Sequence, residues 1–518
     1  MITEDQSEVV ALLASPATHG GMPVETVETH ASMVFLAGNR AWKLKRAVKY
    51  DYLDFSTAAR RREMCLAEVA RNRRTAPQLY LGVVPVTRAD DGKLALDGPG
   101  PAVDWVVSMA RFDQDDLLDR LASRGVLDVH VMPDLAIAIA DLHAAARPRQ
   151  DHGGVAGMAW VVTGNAEGFA AEGADLLDGD TCLQLTRDTR AMLDRQAHLL
   201  ESRRQGGLVR ECHGDLHLRN IVLLDGRPTL FDGIEFNDEI SCIDVLYDLA
   251  FLLVDLWRRD LPHHANVVLN EYVARTQEAD GLGLLPLFLS CRAAVRAKTS
   301  ATAARLQTDP VRRRPLEAAA REYLTLAGRL LAPATPCVVA VGGLSGSGKS
   351  TLARALAPHV GGAPGAVVLR SDDVRKRLAG VGPLQRLDAR GYSPEMSRRV
   401  YASLVERAAA VASAGHSVIV DAVFARPADR EAVEAGARAA GVPFEGLWLD
   451  APADTLVTRV SQRVADVSDA DDDVVRRQLA ADPGPVTWRR LAAGGAPHEV
   501  LDDAVALLRT STCGASLA

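Results

Sequence analysis

The sequence predicts two modules: an α+β module with a β-rich lobe ahead of a helical lobe, then a three-layer α/β module on a parallel sheet. Three observations carry this. A connector at 331–336, LAPATP, separates a helical stretch from the short apolar run CVVAVGG at 337–343. Its two prolines make a stiff, non-helical joint. Strand-like segments crowd residues 33–110, whereas helical periodicity dominates from 113 onward. Beyond 337, buried-type strands alternate with helices, the pattern of parallel βαβ units. The expected domains are 1–333, with lobes of about 1–112 and 113–333, and 337–518. A chain of 518 residues is long enough for two such cores.

In chain order, MVFLAG and RAWKLK flank Gly38-Asn39, a tight hairpin turn. A helix follows over about 56–74, with Ser56 as its candidate N-cap. YLGVVPVTR (80–88), KLALDG (93–98) and VDWVVSMARF (103–112) read as strands. Residues 150–210 read as helical and are expected to shape an acceptor pocket. Residues 221–232 form a strand-like island, and 311–331 read as helix. In the second module, CVVAV, AVVLR, HSVIVDAVF (416–424) and FEGLWLDAP (444–452) are the strand candidates.

Composition narrows the function classes. Hydrophobic residues make up 48% and charged residues 24%, an ordinary globular balance. The net charge of −8 lacks the basic field of a duplex-DNA binder. Seven cysteines form no CxxC pair, which fits reduced thiols in the cytoplasm. The acidic start MITEDQSEVV lacks a signal pattern, and no apolar run is long enough for a membrane span. No membrane partner is expected. Of 59 cationic residues only seven are lysine: 43, 45, 49, 93, 298, 349 and 376. Where arginine serves almost everywhere, each surviving lysine is a candidate for a specific task.

The stretch ECHGDLHLRNIVLLDGRPTLFDGIEF (211–236) carries chemistry. Asp215 precedes Asn220 by five residues, and a short hairpin would return Asp232 beside Asn220. One carboxylate for a hydroxyl acceptor, plus Asn and Asp for Mg²⁺, is a phosphoryl-transfer kit. His143 and the pair His263–His264 lack metal-ligand spacing with carboxylates, so no zinc site is expected.

Residues 343–350 are G-L-S-G-S-G-K-S between an apolar strand and a helix, which is the P-loop pattern. Gly343, Leu344, Ser345, Gly346, Ser347 and Gly348 would present backbone N–H groups to phosphate. Lys349 would reach the outer phosphates, Ser350 would ligate Mg²⁺, and Thr351, next in the helix, would also bind the nucleotide. Asp421 ends a buried strand at a Walker-B-like position. Asp372 is a candidate base at a strand edge, with Arg375 beside it for an anionic substrate group. A helix cap at Ser371 or Asp372 stays open as the other reading. Arg459 and Arg463 lie i,i+4 and either close on phosphates or form a solvated helix face.

H-G-D-L-H-x-x-N-I with its downstream Asp resembles the catalytic loop of the aminoglycoside phosphotransferases, and D-V-L-Y-D-L-A (244–250) resembles a second segment of that superfamily. The resemblance implies a bilobal, protein-kinase-like fold with Asp215 catalytic, His213 a brace, and Asn220 and Asp232 metal ligands. It also implies a strand lysine, Lys43 or Lys45, held by Glu68, with Ser108–Arg111 near an adenine hinge. Gly-Ile-Glu follows Asp232, so Glu235 is a further candidate, and no Gly-rich loop is present. The second module resembles the small P-loop kinases grouped with gluconate kinase, polynucleotide 5′-kinase, chloramphenicol phosphotransferase and zeta-type toxins. As a whole the chain resembles bacterial bifunctional aminoglycoside phosphotransferase-like/P-loop ATP-binding proteins.

These resemblances imply an ATP- and Mg²⁺-dependent phosphotransferase acting on hydroxyls of small molecules such as sugars, amino sugars or aminocyclitols. The acidic group Asp113, Asp115, Asp116 and Asp119 suits a cationic acceptor. Arg292, Arg296 and Lys298 share a helix and read as an acidic-ligand site or a solvated stripe. Two alternatives stay open: a nucleotide-sensing ATPase with a degenerate first module, and polynucleotide 5′-hydroxyl kinase activity in the second.

Overall fold

The computed structural model describes residues 2–50, 52–172, 175–382, 384–462, 468–511 and 513. Contacts divide the chain into two compact units, 1–164 with 193–255, and 165–192 with 256–518.

The first unit opens on a six-stranded antiparallel sheet. Its strands are β1 (Val24–Glu28), β2 (Ser32–Ala37), β3 (Arg40–Lys45), β4 (Tyr80–Arg88), β5 (Leu94–Leu96) and β6 (Ala102–Ala110), in the order β1-β2-β3-β6-β4-β5. Ala37 pairs with Arg40, so Gly38-Asn39 is the two-residue turn the sequence predicts. Helix α1 (Ala58–Asn72) packs its Cys65 and Val69 against Val107 and Tyr80 of the sheet. Its N-cap is Thr57, whose hydroxyl accepts from the Arg60 amide, and not Ser56. Ser56 instead donates its hydroxyl to Asp54, which removes it from the capping geometry.

Farther along, β7 (Ile221–Leu224) and β8 (Arg227–Leu230) form a hairpin. Asp225 and Gly226 at its tip both have positive φ, the backbone of a tight primed turn. Helix α2 (Val245–Arg258) follows.

The second unit contains α3 (Pro262–Thr276) and two 22-residue helices, α4 (Leu285–Leu306) and α5 (Pro310–Leu331). Its sheet has five parallel strands: β9 (Val338–Gly343), β10 (Val367–Arg370), β11 (Val418–Asp421), β12 (Phe444–Asp450) and β13 (Arg489–Ala492). The order is β10-β11-β9-β12-β13, with β9 central and buried throughout. A strand covered on both faces reads as an unbroken apolar run, which is why CVVAVGG was legible.

Among the described residues, seven α-helices accompany this sheet. They are α6 (Lys349–Leu356), α7 (Ser371–Leu378), α8 (Pro394–Ser413), α9 (Pro427–Ala439), α10 (Ala453–Ser461), α11 (Asp472–Ala480) and α12 (Pro497–Arg509). Leu352 and Leu356 of α6 and Val500, Ala504 and Leu508 of α12 share one core with the sheet. The N-cap position of α7 is Arg370, without a side-chain cap bond. Ser371 and Asp372 therefore lie inside the first turn, and neither caps the helix. Among the described residues, no helix is long and apolar enough to cross a membrane.

Candidate functional site

Strand alternation puts Lys43 and Lys45 on one face of β3, and both ammonium groups meet Glu68 of α1. Lys43 Nζ lies 2.8 Å from Glu68 Oε1 and 2.5 Å from Asp232 Oδ1. Lys45 Nζ lies 2.6 Å from Glu68 Oε2 and 2.5 Å from Glu235 Oε1. The two lysines thus divide their work. Lys43 faces Asp232, whose side chain is 43% exposed, while Lys45 is sealed against Glu235 at 5%. Glu235 turns inward to Lys45 and away from the open side.

Electrostatics follow this arrangement. Burial alone would depress both lysines, but the surrounding carboxylates leave both raised. Burial opposes ionisation of Glu68, yet Lys43 and Lys45 pull its carboxyl down to about 2. Glu235 is pushed up by burial, against the attraction of Lys45.

The segment 213–220 is pinned by its backbone. Asp248 of α2 accepts from the His213 and Gly214 amides at 3.0 and 2.9 Å. Asp255, two turns on, accepts from the Leu218 amide at 3.0 Å. His213 Nε2 lies 2.9 Å from the Phe231 carbonyl, and burial lowers its pKa. Asn220 Nδ2 donates to Asp215 Oδ2 at 3.0 Å, and His217 Nε2 lies 3.2 Å from the same oxygen. The Phe231 amide donates to the Asn220 carbonyl, so the hairpin brings Asp232 back beside Asn220 as expected from sequence. Asp232 itself has φ +60°.

Two residues that sequence reasoning missed hold this turn. Tyr80 accepts from the Asp232 amide at 3.0 Å, and Asn72 accepts from the Gly233 amide at 2.7 Å. Asn72 lies one helical turn after Glu68, and that spacing was the available signal. His143 Nε2 stands 3.1 Å from Asp248 Oδ2, a carboxylate partner that sequence spacing did not reveal. His143, Cys212 and Asp248 cluster there, but Asp248 is already engaged by two amides, as a brace is.

In the second module, Gly343, Gly346 and Gly348 have φ of +138°, +85° and +90°. A Cβ on Gly346 would stand 2.4 Å from the Leu456 carbonyl, so conformation and space both require glycine there. Lys349 Nζ donates to the Leu344 carbonyl at 2.9 Å, folding back over the loop. The Ser345 amide donates to Gln478 at 2.8 Å, while the Ser347 hydroxyl is buried. Thr351 is exposed in the first turn of α6.

Ser350 Oγ donates to Asp421 Oδ2 at 2.5 Å, which joins the P-loop helix to the end of β11. Arg370, absent from the sequence reading, lies 3.4 Å from both Ser350 Oγ and Asp421 Oδ2. Its place immediately before Ser371 and Asp372 was the clue. The Asp372 carboxyl is pushed up by burial and by the Asp421 carboxylate, against Arg370 and Lys349.

Arg375 is buried, donates to the Gly391 carbonyl at 2.8 Å and stacks on Tyr392. Arg459 donates to the Ala493 carbonyl at 2.8 Å, and its Nη1 lies 4.0 Å from where a Gly348 Cβ would be. Arg463 lies outside the described residues.

Comparisons with known proteins extend this picture. The uncharacterized protein Rv2004c of Mycobacterium tuberculosis is 30% identical over 491 residues, spanning 92% of this chain and 93% of its own. The chain belongs to the same family. Its relative in Mycobacterium bovis, the uncharacterized protein Mb2027c, matches to the same extent. Within this family member, residues 338–483 match the model of an AAA domain. An adenylyl-sulfate kinase of Myxococcus xanthus is 33% identical over 117 residues, 23% of this chain and 59% of that protein.

Among solved structures, a choline/ethanolamine kinase family protein from Mesorhizobium loti aligns over 63% of this chain and 94% of its own, at 14% identity and TM-score 0.39. A sugar kinase from a Janibacter species aligns over 36% and 99%, at 23% identity and TM-score 0.26. By its own topology the chain carries a six-stranded antiparallel sheet followed by helices, then a five-stranded parallel sheet with a P-loop after its central strand.

Proposed function

We propose that this chain is an ATP- and Mg²⁺-dependent phosphotransferase with two sites, each passing a γ-phosphoryl group to a hydroxyl of a small molecule. The observation that carries the reading is convergence: Lys43, Glu68 and Asp232 meet from β3, α1 and the end of the β7–β8 hairpin, beside Asp215 and Asn220. The P-loop with its Ser350–Asp421 contact supports the second site. A sugar, amino sugar or aminocyclitol is the acceptor class we assign to the first.

In the first site, Lys43 is the lysine that meets nucleotide phosphates, and Lys45 is an interior counter-charge. Asp215 orients the acceptor hydroxyl and takes its proton. Asn220 and Asp232 offer carboxamide and carboxylate oxygens, a hard donor set that fits Mg²⁺. In the second, Ser350 and Asp421 offer hydroxyl and carboxylate oxygens, also hard donors, and Lys349 and Arg459 hold phosphate. Asp372 accepts the proton of the attacking hydroxyl. Mg²⁺, when bound, offsets charge on the transferring phosphates.

The test is phosphorylation of a metabolite pool with γ-labelled ATP, using wild type, Asp215→Ala and Lys349→Ala. Products that vanish selectively with each variant support two kinases. Pool-independent release of inorganic phosphate points to an NTPase, and 5′-labelling of oligonucleotides to a polynucleotide kinase.

A further inference from the structure

The edge strand of the parallel sheet, β10, leads directly into the second candidate site. Its last residue, Arg370, reaches Ser350 and Asp421, and Asp372 follows in the first turn of α7. An edge strand has an unpaired row of backbone donors and acceptors on its outer side. Here that row is occupied by side chains of α3, a helix some hundred residues earlier in the chain and part of the same compact unit.

Asn270 Oδ1 accepts from the Val368 amide at 2.7 Å, and its Nδ2 donates to the Ala366 carbonyl at 3.2 Å. One carboxamide thereby imitates a neighbouring strand. Asn266 Nδ2 donates to the Ala366 and Pro364 carbonyls at 3.0 and 3.1 Å, and Asn270 Nδ2 donates in turn to Asn266 Oδ1 at 3.0 Å. Asn266 is 2% exposed and its bonds to the strand are shielded from water, whereas Asn270 is half-buried. Arg377 of α7 also donates to Gln277, just past α3, at 2.7 Å. The next residue of α3, Glu271, has its carboxyl pushed up by burial and by Asp373, against Arg354 and Arg370.

We infer that Asn270, supported by Asn266, is a positioning residue for phosphoryl transfer at the P-loop site: it clamps the outer edge of β10 and so sets Arg370 and Asp372 against Ser350 and Asp421. Asn270 touches no reacting group. It acts through three residues of strand, Val368 to Arg370. The helix supplying this clamp precedes the 331–336 connector in sequence, so the P-loop module's acceptor edge is completed by chain that lies outside the P-loop sequence itself. This rests on the reading of the second site as a kinase with Asp372 as its base.

The experiment uses the full chain with Asn270→Ala and Asn270→Asp. The aspartate keeps the acceptor for Val368 N–H and loses the donor to Ala366. Three quantities are read: hydrogen exchange of the 366–370 segment, the KM for ATP, and kcat of Lys349-dependent transfer from γ-labelled ATP. In Asn270→Ala, the segment is expected to exchange faster by about tenfold or more. Misplacing a base by a fraction of an ångström is expected to lower kcat by about ten- to a hundredfold, with the KM for ATP nearly unchanged. Asn270→Asp falls between wild type and alanine in both exchange and kcat. A merely structural role would lower thermal stability and leave kcat of the folded fraction at the wild-type value, and that outcome overturns the proposal. If Asn270→Ala does not fold, Asn270→Asp decides by the same criterion. Absence of Lys349-dependent transfer in wild type is a separate result: it removes the kinase reading, and this proposal with it.

Discussion

In the first module the converging groups are side chains drawn from distant places: Lys43 and Lys45 on β3, Glu68 on α1, Asp215 in a loop and Asp232 after a hairpin. In the second, eight consecutive residues supply most of the site, and three glycines with positive φ shape a backbone cradle. A side-chain site depends on tertiary packing to exist at all. A backbone site depends on local conformation, and its neighbours only trim it. The two therefore fail differently, and that difference can be measured.

The largest effects are expected from removing the proposed base of the first site and the proposed phosphate-holding lysine of the second. Asp215→Ala is expected to lower transfer by the first site by on the order of 10²–10⁴-fold, and Lys349→Ala to do the same to the second. Each leaves the other site's product intact when labelled products are resolved. Loss of both products with either variant would dissolve the comparison, since it would mean one site and not two.

That contrast also explains what was legible in the sequence. The P-loop could be read because its residues are contiguous and its glycines are dictated by backbone shape. The β7–β8 hairpin was legible because Asp-Gly declares a tight turn. Lys43 and Lys45 could not be separated, because alternation puts both on one face and only the carboxylates beyond each lysine differ. Asn72, Tyr80 and Arg370 were missed for a similar reason. Each acts through a bond to a segment remote in sequence or through an ordinary-looking side chain. Ser56 was read as the cap because capping propensity ignores competitors, and Asp54 was the competitor.

The next effect sharpens the comparison inside the first module. Lys45→Met leaves Glu68 and Glu235 buried with one cation fewer. Breaking a buried pair in this way costs about 3–5 kcal/mol, and uptake of a proton by Glu235 keeps the loss at the lower end. Lys43→Met removes a charge facing the half-open Asp232 and is expected to reduce transfer more than stability. Denaturant unfolding and initial rates on the same preparations separate the two. Equal losses of stability would refute the division of labour.

pH provides a third contrast. His416, buried at the start of the β11 region with its Nε2 at 3.0 Å from the Gly365 carbonyl, is lowered by burial from 6.5 to about 4. Above pH 6.5 nothing is lost. Between 6.5 and 4 the unfolded chain takes up a proton that the folded chain refuses, so stability declines as pH falls, by on the order of 3 kcal/mol at most. Glu68, held down from 4.5 to about 2, keeps its contribution above pH 4.5 and loses it only between 4.5 and 2. His213, also lowered by burial, adds a slope of the same sign as His416. His416→Gln in the full chain therefore isolates the second module. Its stability difference between pH 7.5 and 5 should shrink relative to wild type, and an unchanged difference would show that His416 titrates normally.

The smallest effects compare two helix starts. Helix α6 begins at the site itself, with Gly348 as its N-cap at φ +90°. Gly348→Ala meets nothing closer than Arg459 at 4.0 Å, so its cost is conformational, about 1–2 kcal/mol. On the proposed reading, in which the same peptide groups hold phosphate, ATP affinity at the second site should fall with stability. Helix α1 begins far along its axis from Glu68, and its Thr57 cap bond is a long 3.3 Å. Thr57→Ala should cost only about 0.5–1 kcal/mol. Glu68 is held by Lys43 and Lys45 and not by the cap, so kcat at the first site should stay at the wild-type value. Calorimetry gives the stability terms and initial rates give kcat. A tenfold loss of kcat in Thr57→Ala would mean that the first site, like the second, is set by local backbone, and the distinction between a packed site and a cradled one would not hold.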